Sequence, residues 1–516
     1  MTRLRRMPFA VADATGRGQR PADLSWREAQ HRLPRRRVSF SQAGWLLPVL
    51  LLTGAVASRS FLGPDWVGLT AVNVACATAL VGVGRRRPHR TAWAWAGAIV
   101  LLFGGFIQLL WLGYKLRADP MYIIVYSPDL SWLQPEDVVR AYGAFTLLFS
   151  AFCLLASVWI VFGPTPRFAT QPTSINARHL KIWIVRFSLG YVVLTLVQIV
   201  LGFGQFGGAS SSGVLLTPLS LYRQNFFPGV LVVGLWVFDG RDSRWWFGCL
   251  AGLGAVSAIE AYISTSRGTV FTYGLPILFL WYLCRRFLKV RKAIVIGGLA
   301  VYFLVNPLLT NLRAERLQAT LMSGYTLPQD TGLSVGGLTQ TLDHTLIRVG
   351  GAEGLLTAQH VGASLGTPGI LDLMRPNFMT DYYTYNIVGI PKAAPIADFR
   401  SPAALGNTVL VGGALGAAGV LAFLVFVFGM TWWFIVRFFR SWPVGCALFC
   451  GSVVSYVSEG AMVTVYKYLL VALALEWLCR RLSRSANRGG TSGRATFSTS
   501  ATTGRKRSGR EPATVT

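Results

Sequence analysis

Six residues, Ser264-Thr265-Ser266-Arg267-Gly268-Thr269, join two long apolar stretches of this chain. A hairpin of two apolar helices needs only a short polar turn, and Gly268 supplies a permissive backbone for it. Arginine is a costly choice there, because a guanidinium near hydrocarbon costs a few kcal/mol unless it snorkels or pairs. Its planar fork also matches phosphate oxygens, so Arg267 reads as a headgroup anchor or as part of an anion site. Glu260 lies two helical turns earlier on nearly the same face. An acid inside an apolar stretch is a functional candidate; it reads equally as a partner for Lys467 that locks two helices together. Arg223, within Leu-Tyr-Arg-Gln-Asn, opens another apolar stretch. It belongs to the same anion region or anchors the interface.

Between the apolar stretches 293–310 and 404–436 lies a polar segment, 311–403. It carries Arg313, Arg316, Arg348, Arg375 and Arg400, which as a set near a membrane surface make an anion cradle. Arg313 and Arg316 are neighbours on a helix face, and so are His344 and Arg348. In 337–350, Leu338, Leu342, Leu346 and Val349 form an apolar stripe opposite them. His344 and His360 are candidate bases, since a neutral imidazole is available near pH 7. Glu353, Asp343 and Asp398 compete for that role. Tyr382, Tyr383 and Tyr385 offer rings that stack on sugars or pack together as an aromatic cluster.

The elements that must hold these residues are helices. The chain is 53% hydrophobic with only 14% charged residues and a mean hydropathy of +0.47, where a soluble domain carries about 25% charge. Apolar stretches long enough to cross about 30 Å of hydrocarbon recur throughout, and lipid forces them to be helical. We read twelve spans, at about 43–62, 66–84, 91–113, 141–163, 182–206, 218–238, 245–264, 269–284, 293–310, 404–436, 443–458 and 463–479. The expected fold is all-α: a polytopic transmembrane helix bundle with one large extracytoplasmic loop, 311–403, between spans 9 and 10. The bundle is divided into 43–310 and 404–479. The Arg-rich 1–42 and the Ser/Thr/Gly/Arg-rich 480–516 are expected to be disordered cytoplasmic tails.

With both termini inside, the cytoplasmic pieces hold 35 of the 49 lysines and arginines, the positive-inside pattern. The net charge of +28 therefore reports plasma-membrane topology and contact with anionic lipid, and no nucleic-acid role is read from it. No apolar core precedes Trp45, so no cleavable signal peptide is expected. None of the seven cysteines lies in 311–403, so no disulfide is expected there. Cys446 and Cys450 read as packing residues. No metal or cofactor is expected.

This ordering resembles the bacterial O-antigen polymerase (Wzy) and O-antigen ligase superfamily. The resemblance rests on about a dozen helices, Ser266-Arg267-Gly268 at a helix junction, and a large loop with arginines and histidines before the last spans. Gly389-Ile390-Pro391 followed by the Gly-rich 406–419 adds to it. It covers roughly 180–480. It implies a metal-independent glycosyltransferase using polyprenyl (undecaprenyl) diphosphate-linked oligosaccharide as donor and acceptor. A chain-length regulator and a flippase are the implied companions. Arg267 would be the junction arginine; Arg313, Arg316 or Arg348 the loop arginine; His344 or His360 the loop histidine. Arg223 would join the diphosphate site and Arg400 the glycan site. The expected activity is polymerisation of repeat units into a surface or exopolysaccharide. The alternatives are ligation of glycan to another acceptor, or transport of a lipid-linked oligosaccharide. A transporter would carry more charge at mid-membrane depth on broken helices.

Overall fold

A computed structural model describes residues 65–86, 92–118, 130–163, 175–201, 216–239, 241–264, 274–280, 283, 352–361, 368–387 and 402–491. Every regular element among them is helical. The long ones are α1 (Asp65–Arg86), α2 (Ala92–Ala118), α3 (Pro135–Phe162), α4 (Ala177–Leu201), α5 (216–238) and α6 (Ser243–Ser264). Two shorter helices follow, α7 (Ala352–Val361) and α8 (Phe378–Tyr382), then α9 (Ala403–Phe438), α10 (Trp442–Glu459) and α11 (Met462–Thr491).

Seven of these helices are long and apolar enough to cross a membrane, so this is a membrane protein. They coincide with the expected spans 2, 3, 4, 5, 7, 10 and 12. Expected spans 1 and 9 lie outside the described residues, and of span 8 only 274–280 and 283 are described, both helical. Span 6 is present as α5, interrupted by a π-helical turn at Tyr222–Phe226. Span 11 is present as α10. The last helix runs on to Thr491, well past the expected boundary at 480. One reason is visible at that boundary, where Arg480 donates back to Glu476 one turn earlier, at 2.6 Å.

Of these seven, α2 is the most enclosed. Its Trp93 meets Phe152 of α3 edge-on at 6.5 Å. α3 holds α1 through a buried polar knot. Trp66 stacks on Tyr142 with centroids 3.4 Å apart, Thr70 and Tyr142 share a hydrogen bond of 2.6 Å, and Asn73 donates to Tyr142 and Thr146. Such groups must find partners inside the bundle because lipid offers none. α4 is the reverse case: Leu189 and Val200 are 67% and 81% exposed, as suits a helix facing hydrocarbon. Cys153, Cys249, Cys446, Cys450 and Cys479 are buried, as suits packing roles for Cys446 and Cys450.

The hairpins put their turns at two ends. One end carries the helix termini Arg86, Ala92, Phe162, Ala177, Phe238 and Ser243 and the turn 439–441. The other carries the helix termini Ala118, Pro135 and Ser264 with 402–403 and 459–462, and here α7 and α8 lie. Gly354 lets α7 cross the start of α9 at backbone contact, since a side chain at Gly354 would fall on the carbonyl oxygen of Pro402. Gly460, at φ 69°, closes α10 in the left-handed conformation that glycine adopts without strain. Its carbonyl accepts from Asn407 Nδ2 at 2.8 Å.

Candidate functional site

The capping segment is tied down residue by residue. The backbone amide of Ala352 donates to Gln108 Oε1 at 2.9 Å, which seats the start of α7 on α2. Gln108 follows a π-helical turn, Leu102–Ile107; such turns shift a helix's register and often mark functional positions. At the far end of α7, the exposed ring of His360 lies on Trp132, with centroids 3.7 Å apart and planes 13° apart. Glu353 shares a face with His360, two turns earlier, and is half-buried. The apolar side of α7, with Leu355 and Leu356, is buried.

The stretch 368–387 fixes itself to α11. Val463 donates its amide to the Pro376 carbonyl at 3.0 Å, and Tyr466 donates its hydroxyl to the Met374 carbonyl at 2.6 Å. Arg375 pairs with Asp372 at 3.1 Å. Of the three candidate tyrosines, Tyr382 is half-buried and stacks on Phe378, and Tyr385 is half-buried. Tyr383 is 2% exposed, so its ring packs inside and offers no face to a sugar. Burial raises the carboxyl of Asp381 and the phenol of Tyr382 above their ordinary ranges.

A second cluster lies where α4, α5 and α6 meet. Arg223 is buried, and its Nη2 donates to Glu260 Oε1 at 2.5 Å. Tyr191 donates to the same oxygen at 3.1 Å, its ring 5.7 Å from the guanidinium carbon. Gln224 reaches Oε2 at 3.5 Å and accepts from Ser220 at 2.8 Å. The π-helical turn Tyr222–Phe226 carries Arg223 and Gln224. It is followed by Pro228, which cannot donate to the turn behind it.

This partnership corrects the expected pairing of Glu260 with Lys467. Glu260 lies four residues from the end of α6, and Arg223 seven from the start of α5. These are depths of about 6 and 10 Å below the capped end. Arg223 and Glu260 neutralise each other there, and Arg223 Nε makes no hydrogen bond among the described residues. A cavity that shares only Gln224 with this cluster is walled by Gln224, Asn225 and Tyr468 and by Val232, Leu253 and Leu448. A water centre can range over about 10 Å³ in it, room for about one water and far too little for a sugar ring.

Arg267, Arg313, Arg316, His344, Arg348 and Arg400 lie outside the described residues. Of the expected site residues, the capped end carries His360 and Glu353 on α7, and Tyr382 and Tyr385 on the stretch 368–387 that is fixed to α11. Tyr191 and Gln224, which bond Glu260, and Gln108 and Trp132, which meet α7, carry no sequence signal, since each reads as an ordinary span or loop residue. Among the described residues no group of three His, Cys, Asp or Glu is arranged to hold a metal ion. Comparison with protein-family models, with curated proteins and with solved structures finds no match for this chain.

Proposed function

We propose that the capped end faces the cell exterior and is the working face of a metal-independent glycosyltransferase. It would join polyprenyl-diphosphate-linked oligosaccharide units into a surface or exopolysaccharide. The observation that carries this reading is the docking of 352–361 and of 368–387 at one end of the bundle. The two pieces, bearing a histidine, acids, an arginine and tyrosines, are hydrogen-bonded to α2 and to α11 there. Residues on a rigid platform at that depth can hold a lipid-anchored substrate whose reacting bond lies at the membrane surface.

In this reaction an acceptor hydroxyl attacks the anomeric carbon, the bond to the lipid diphosphate breaks, and the hydroxyl proton passes to a base. His360 or Glu353 at the cap, or His344, is that base. Arg267, with Arg313, Arg316 and Arg348, stabilises the departing diphosphate, whose charge grows in the transition state. Arg223 holds the fold beneath them, because Glu260 already balances its charge. Tyr382, Tyr385 and Arg400 contact glycan. Ligation to a different acceptor uses the same chemistry.

The test is the purified protein with a lipid-diphosphate oligosaccharide, followed for elongated product and released carrier diphosphate. Wild type elongates; Arg267→Ala and His344→Ala lower turnover by about a hundredfold or more. No elongation by folded wild type with either donor or ligase acceptors ends the reading. The buried ion pair beside a π-helical turn favours one other reading, a transporter. In cells, loss of polymer in Arg267→Ala with lipid-linked units still reaching the surface supports the enzyme. Units trapped on the inner leaflet support transport.

A further inference from the structure

At the end opposite the cap, the α9–α10 turn meets the end of α11 in a cationic patch. Arg480 ties the two segments: its Nη2 donates to the Phe438 carbonyl at 2.8 Å and its Nε to Glu476 Oε1 at 2.6 Å. Glu476 is buried, and its other oxygen accepts from the Ser441 amide and hydroxyl at 2.9 and 2.8 Å. The carboxylate of the patch is therefore consumed internally. Arg437, Arg440 and Arg481 have no carboxylate partner among the described residues, and Arg440 and Arg481 are exposed.

Two of these guanidinium groups lie over aromatic rings, Arg437 over Phe438 at 5.7 Å and Arg481 over Trp477 at 5.4 Å. Both rings are exposed and end apolar stripes. Phe434 and Phe438 are one turn apart on α9; Leu470, Leu473 and Trp477 share a face of α11. Apolar chain, then aromatic ring, then guanidinium is the depth profile of a phospholipid read from tail to phosphate.

We propose that this patch seats an anionic phospholipid, its phosphate against Arg437, Arg440 and Arg481 and its acyl chains along the two stripes. Free phosphate would use the arginines alone and leave the exposed rings and stripes without a partner. The seat is independent of glycan chemistry, since it lies at the other end of the bundle from the capping segment.

The full-length protein, purified in detergent, would be titrated with phosphatidylglycerol, phosphatidylcholine or inorganic phosphate. Bound lipid is counted by native mass spectrometry and unfolding followed by thermal shift. Phosphatidylglycerol is retained saturably and raises Tm; the other two probes do neither. The triple variant Arg437→Gln, Arg440→Gln, Arg481→Gln keeps the lipid-free Tm and binds phosphatidylglycerol about a hundredfold more weakly. Should the triple variant fold poorly, exposed Arg440→Gln and Arg481→Gln alone each weaken binding several-fold, as does Trp477→Leu. Equal retention of phosphatidylcholine, stabilisation by inorganic phosphate alone, or unchanged binding by the variants overturns the proposal. None of these readouts depends on turnover, so the seat and the glycosyltransferase reading fail separately.

Discussion

Glu260 and Arg223 show how much one buried charge depends on its partner. Neither is exposed, and each is costly in hydrocarbon when alone. Removing one leaves the other uncompensated, which costs about 3–5 kcal/mol, whereas replacing both with apolar residues is often neutral. Glu260→Ala should therefore lower the melting temperature of the detergent-purified protein sharply, and Arg223→Met with Glu260→Leu should recover most of the loss. If the single variant melts like wild type, the pair has no structural role and Arg223 returns to the candidate phosphate ligands. The partner was not legible in the sequence. Glu260 is marked there as an acid in a span, but Arg223 and Lys467 are equally available to it by composition, and only the crossing of α5 and α6 decides between them. A second residue-scale test concerns pH. Lys181 donates to Asp242 at 2.6 Å and holds that carboxyl below its ordinary value. The folded form thus binds the proton more weakly than the unfolded form. Its stabilisation is present above the unfolded carboxyl's pKa of about 4 and is lost as pH falls through the lower folded value. Melts between pH 7 and 3 should show Asp242→Asn less stable than wild type at neutral pH, with the gap closing in acid.

Helices were the most legible elements, because lipid permits little else and hydropathy marks the stretches. The π-helical turns in α2 and α5 were not, since one extra residue in a turn changes hydrogen-bond register without changing apolar content. The docking of α7 was also hidden. Its apolar face predicts burial against something, but the mate is the start of α9, and the contact depends on Gly354 having no side chain. Gly354→Ala should destabilise by about 1–3 kcal/mol, because the obstacle is a backbone carbonyl that cannot turn aside. Gly68 on α1 is the control: nothing lies near a side chain added there, and alanine in a helix is intrinsically better than glycine by about 0.5–1 kcal/mol. Thermal melts that rank the two variants equally would show that α7 does not rest on α9 in this way.

At the scale of the molecule, the two ends differ in charge. Arg178, Arg241, Arg244, Arg440, Arg480 and Arg481 are exposed at one end. At the capped end Lys115 and Arg117 close α2, Arg140 and Arg375 each have an acid one turn away, and Glu136 and Asp137 open α3, so the basic excess is smaller there. Cytoplasmic loops collect lysine and arginine, so the basic end should lie inside and the cap outside. That orientation can be read directly by labelling single introduced cysteines on intact cells with a membrane-impermeant maleimide. Cys153, Cys249, Cys446, Cys450 and Cys479 are buried, where thiols are unreactive, and Cys76 and Cys284 are first replaced by serine so that only the introduced thiol reports. Ser131→Cys, at the exposed loop beside Trp132, should label on intact cells. Arg241→Cys, in the α5–α6 turn, should label only after the cells are opened. The opposite result would put the platform of α7 and α8 in the cytoplasm, end the exterior-face reading, and return the basic end to consideration as an outer anion-binding surface.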